Sequence, residues 1–182
     1  MDLKLHETEA VLTASYTVEA SSQLGIDGTG VIVDAARGLV VVDRNTVPVA
    51  LGDVRITFAG SLEIAGRVEW IHPLHNLAVV AYDPGLIGDT PVREVELNLD
   101  PVSPGQRLWV VGLKGDHTLA VQSTEVASVD PVQFPLSRTL RFRDTNLETI
   151  SLVNAPSEFD GVLADSDGGV VSLWSRFAYH AG

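Results

Sequence analysis

Cysteine is absent from all 182 residues. That removes disulfide staples, thiolate nucleophiles and cysteine-based zinc sites together, while leaving the compartment open. Long apolar runs are missing as well: stretches such as Gly38 to Val42 and Leu77 to Ala81 fall far short of the ~20 residues a helix needs to cross a bilayer. The opening MDLKLHETEA has no apolar segment of the kind a signal peptide carries. Positive charge is scarce, with 12 Lys and Arg against 24 Asp and Glu, a net charge of −12 spread over both halves. Such a field repels nucleic acid and anionic lipid, so neither is expected as a partner, and membrane insertion is not expected. The chain reads as soluble, with the periplasm or another extracytoplasmic compartment open if a full-length protein supplies a signal.

Helical periodicity is also lacking; the strand period dominates instead. In DVRITFA (53–59), Val54, Ile56 and Phe58 share one face while Arg55 and Thr57 share the other. Similar segments recur near 11–18, 28–34, 38–43, 53–59, 62–71, 76–82, 92–97, 106–113, 118–129, 138–143, 146–153 and 169–176, punctuated by Gly, Pro, Asp and Asn. Twelve short strands with short connections predict an all-β protein, because a parallel α/β fold needs a helix in every crossover. With 45% hydrophobic residues the chain can bury a core of its own. The seam LNLDPVSPGQ (97–106) divides the strands into two halves, which places one β-barrel in residues 1–97 and a second in 98–182.

The candidate chemical motifs reduce to structural ones. HPLH offers His72 and His75, but a metal needs a third ligand and none is tied to them, so a surface turn is the better account. DSDGG (165–169) has a calcium loop's opening residues, yet the position of the required bidentate glutamate holds Arg176; a hairpin turn centred on Asp167 and Gly168 fits better. GTG (28–30) lies inside a strand rather than before a helix, which speaks against phosphate binding and for close approach of another backbone. Trp70, Trp109 and Trp174 sit in apolar strand patterns and read as core. No cofactor and no metal are implied.

Taken in order, GTGVIVDAARGLVVVDRNTV, DVRITFAGSLEIAGRVEWIHPLHNLAVVAYDP and FDGVLADSDGGVVSLW resemble the trypsin-like protease domain of the HtrA/Deg family over about Gly28 to Trp174. The resemblance implies two six-stranded antiparallel β-barrels of trypsin/chymotrypsin type, with the active site in the cleft between them. Laid over the family pattern, the catalytic histidine falls on Asn45, the catalytic aspartate on Asn76, and the nucleophilic serine on Asp160, or on Phe159 with the gap moved by one. The glycine that shapes the oxyanion hole falls on Glu158, and Val162 follows Gly161 where the family has a second glycine.

An asparagine amide cannot cycle a proton near neutral pH, and Asn76 carries no charge to steady an imidazolium. The expectation is therefore a domain that is not an enzyme, with the degenerate triad positions Asn45, Asn76 and Asp160. GLVVVDRNTV, HPLHNLAVVAYDP and RDTNLETISL resemble the degenerate second protease domain of long Deg proteases, which also carry PDZ domains. That likeness implies a part in assembly or in binding a protein, an unfolded peptide or sister domains, with a homo-oligomer allowed. The competing expectations are a peptidase with a rewired site built on His72 or His75, and a structural spacer that sets oligomer geometry.

Overall fold

The computed structural model describes residues 9–19, 22–44, 46–47, 50–73, 75–114, 116, 118–131 and 148–175, with side chains described from residue 28 onward. Six strands form the first unit: β1 (Glu9–Glu19), β2 (Ser22–Asp34), β3 (Leu39–Val42), β4 (Asp53–Phe58), β5 (Leu62–Ile71) and β6 (Ala78–Tyr82). They close in the order β1-β2-β3-β6-β5-β4, with β1 paired antiparallel to both β2 and β4. Closure removes the open edges that such apolar strands would otherwise present.

The period-2 pattern sets which side chains fill this barrel. Val54, Ile56 and Phe58 of β4 are buried, as are Val40 and Val42 of β3 and Ala78, Val80 and Tyr82 of β6. Phe58 and Tyr82 meet edge to face with ring centroids 4.9 Å apart, a geometry that adds quadrupole attraction to area burial.

The second unit is a five-stranded antiparallel sheet in the order β11-β10-β7-β8-β9. Its strands are β7 (Arg107–Lys114), β8 (Leu119–Asp130), β9 (Thr149–Leu152), β10 (Phe159–Ala164) and β11 (Val170–Trp174). Leu108, Val110, Val126, Phe159 and Leu163 form its core. A third cluster, with Val31 from β2, Val95, Val111 from β7, Val162 from β10 and Val170 from β11, packs the two units against each other. The strand expected at 138–143 lies outside the described residues.

Three expectations change. Residues 92–97 form no regular strand; they run extended between the two units, with Val95 N donating to Ile32 O at 2.9 Å, Asn98 N to Val170 O at 2.9 Å and Val170 N to Glu96 O at 2.7 Å. Their alternating pattern reflects this stitching, one backbone bond at a time, rather than a ladder. Second, FDGVLA, absent from the expected strands and the place where the resemblance lays the serine position, is the interior strand β10, paired with β7 and β11. Third, Trp70 is 46% exposed on β5 rather than in the core, whereas Trp109 and Trp174 do pack against core clusters.

The DSDGG segment is the β10–β11 hairpin turn. Asp165 Oδ1 accepts from Asp167 N and Gly169 N, each at 2.9 Å, and Gly168 takes φ +92°, where glycine is favoured. Asn98 Nδ2 donates to Asp165 Oδ2 at 2.6 Å, tying the connecting segment to this turn.

Candidate functional site

The loop after β3 is built by Asp43. Its carboxylate accepts from Thr46 N at 3.1 Å and from Thr46 Oγ1 at 2.6 Å, closing a tight turn. The turn leaves no room beside Gly28: a Cβ there would run into the Thr46 side chain, so the glycine of GTG admits a side chain rather than the expected backbone. Asp43, Arg44, Thr46 and Asn76 are all buried. Four buried polar residues in one place are costly unless hydrogen bonded, and here they are.

The turn before β6 supplies the other half. His75 N donates to His72 Nδ1 at 2.8 Å, Leu77 N donates to His75 O at 2.8 Å, and His72 N donates to Leu77 O at 2.8 Å. This closed set of bonds fixes Asn76 at its tip. Asn76 Oδ1 accepts from Arg44 N at 3.0 Å, and Asn76 Nδ2 donates to Ser175 Oγ at 3.2 Å. One amide thus joins the loop after β3, the turn before β6 and the end of β11. Arg44 Nη1 adds a bond to His72 O at 3.0 Å.

Trp70, His72 and His75 stack edge to face, with centroids 4.9 and 4.4 Å apart. Burial, the neighbouring His75 and the Arg44 guanidinium hold the His72 pKa below the ordinary histidine value.

Asn76 and Ser175 open onto a cleft of about 730 Å³ between the two units. His75, Leu77, Ile150, Ser157, Leu163 and Trp174 contribute to its walls. On the side of β11 facing away from β10, the described residues pair with it only at the Leu97–Val170 bridge, and Ser172 to Trp174 line the cleft. Groups of three or more metal-ligating side chains do not occur among the described residues.

The sequence-derived positions are distributed as follows. Asn76 is in the cleft wall, while Asn45 lies outside the described residues. Phe159 is buried in the second core, and Asp160 lies half-buried in β10, opposite Leu113 of β7. Glu158 is exposed just before that strand, and neither it, Phe159 nor Asp160 lines the cleft; Ser157 does. Ser157, Ser175 and Arg44 were not singled out by sequence. Their roles depend on partners that are 99 residues away for Ser175 and 32 for Arg44, and no local pattern reports such pairings.

Comparison with known proteins adds to this geometry. No protein-family model matches the sequence. Over 149 residues, 81% of the chain, it is 40% identical to a PDZ domain-containing protein of Schizosaccharomyces pombe, and over 151 residues, 82% of the chain, 36% identical to the pro-apoptotic serine protease NMA111 of Saccharomyces cerevisiae. The chain spans about 15% of the length of each. The crystal structure of Deg5 superposes with a TM-score of 0.68 at 16% identity, covering 93% of this chain and 80% of that one. At that identity the likeness shows the fold, which is trypsin-like.

These relatives overturn the expectation of a non-enzyme. A relative 36% identical is itself named a serine protease. The expectation drew on three side chains in a segment matching about 15% of such a protein, and three side chains there do not set the enzyme class of the polypeptide. The chain belongs to the HtrA/Deg family, as an HtrA-type trypsin-like domain.

Proposed function

We propose that this domain holds an extended segment of a protein substrate or of a sister chain in the cleft between its two units, as one part of a longer HtrA-type serine protease. The observation that carries the reading is the cleft itself, walled by the turn before β6, the start of β9, the approach to β10 and the end of β11. Within it Leu77, Ile150, Leu163 and Trp174 offer apolar contact to alternate side chains of an extended segment. Such recognition suits unfolded polypeptide. Binding of fluorescein-labelled, unfolded casein fragments tests it: saturable binding that falls when Trp174→Asp places a charge on the cleft wall supports the reading, and unchanged binding in that variant counts against it.

A second reading is favoured by one specific feature, the presence of His75, Ser157 and Ser175 around the same cleft. It makes this domain a peptidase with a rewired site, in which an imidazole activates a hydroxyl. A fluorophosphonate serine probe decides it. Labelling that disappears in Ser157→Ala or Ser175→Ala supports this reading; no labelling of pure protein rejects it.

A further inference from the structure

The His72 side chain accepts a hydrogen bond through Nδ1 from the backbone of His75. Only a neutral imidazole with its proton on Nε2 can do so; an imidazolium carries a proton on both nitrogens and would set two donors against each other. The same turn holds Asn76, whose amide clasps Arg44 N on one side of the cleft and Ser175 Oγ on the other. We propose that the His72–Asn76 turn is a pH-operated latch: protonation of His72 breaks its bond from His75 N and loosens the Asn76 clasp across the cleft.

Among the described residues, the titratable and charged groups facing the ring are His75 on the same turn and Arg44 on the loop after β3. Both resist a positive charge on His72. Arg44 is buried and bonded to His72 O, so it is held near the ring when the charge arrives. The direction of linkage follows. With the folded-state pKa below the ordinary value, the turn's contribution is complete above about pH 6.5, the unfolded histidine value, and is lost as pH falls through the folded-state pKa. The latch itself needs no peptide; its consequence for binding rests on the peptide-holding reading above.

The test is a pH titration of the 15N-labelled domain by NMR, following the ring nitrogens of His72, the backbone amide of His75 and the side-chain amide of Asn76. The expected result is one shared midpoint below the ordinary histidine value. Asparagine places Oδ1 where histidine places Nδ1, so His72→Asn keeps an acceptor for His75 N that does not titrate, and should hold the turn throughout; His72→Ala should lose it at every pH. Affinity for an unfolded casein fragment should fall about tenfold on acidification across the midpoint, the scale of losing one or two hydrogen bonds, and should stay level in His72→Asn. A His75 amide that ignores the His72 titration, or an equal acid transition in His72→Asn, overturns the latch. A titrating latch in a protein that binds no peptide at any pH supports the latch and removes the peptide reading, and binding that ignores a titrating latch removes its control of the cleft.

Discussion

At Asp165 a half-buried carboxylate does the work of a hairpin. Partial burial pushes its pKa up, but hydrogen bonds from Asn98 and from the backbone of Gly169, Asp167 and Gly168 outweigh that and hold it below the ordinary value. A depressed carboxylate stabilises the fold above its unfolded pKa, near 4, and this contribution is lost as pH falls through the folded-state value. Asp165→Ala should therefore cost about 2 kcal/mol at neutral pH and flatten the acid limb of a stability-versus-pH curve; denaturant titration at several pH values checks both. Asn76 makes a comparable case without charge. Replacing it by alanine removes the acceptor that Arg44 N uses, at a cost of about 1–3 kcal/mol, visible in the same denaturation assay. The sequence marked Asp165 through its DG turn and Asn76 through the family pattern. It could not mark the partners, because Asn98, Arg44 and Ser175 are distant in the chain and meet only through the sheet registers.

Among the elements, β10 is where reading and structure part most clearly. FDGVLA has no alternation, since Phe159 and the run Gly161 to Ala164 are all buried; a strand flanked on both sides by neighbours and covered on both faces loses the period-2 signal. The exposed-face strands β4 and β8 kept that signal and were legible. Placing β10 inside the sheet makes a pair of glycines decisive. Gly161 faces Gly112 of β7, and a Cβ on Gly161 would run into Val111 O, while one on Gly112 would run into Asp160 O. These neighbours are backbone and cannot swing aside. Gly161→Ala should destabilise the domain by more than about 3 kcal/mol, read as a large drop in the denaturation midpoint or as insoluble expression, whereas Gly60→Ala, with open space around it but at φ +69°, should cost only about 1–2 kcal/mol, for holding a side chain in the left-handed region. The connection at 92–97 misled in the opposite sense: its alternation is real, but Val95 serves the core between the units rather than a ladder.

The molecule as a whole is two β units pressed together by a shared valine-rich cluster, with polar side chains meeting at one side of the joint. The two-unit, all-β plan was legible because strand period and turn residues are local properties. The cleft was legible only through family resemblance, since its walls come from the turn before β6, the start of β9, the approach to β10 and the end of β11. Apolar surface outside it, such as Leu97 and Leu99 on the connecting segment, gives a peptide other places to adhere, so binding alone does not locate the site. Hydrogen–deuterium exchange of the domain with and without a saturating unfolded casein fragment locates it most directly. The account predicts slowed exchange at the amides of Val171 to Ser175, together with the cleft walls at 75–77 and 148–157. Binding that leaves residues 171–175 exchanging at their free rate, with protection elsewhere on the surface, would contradict it.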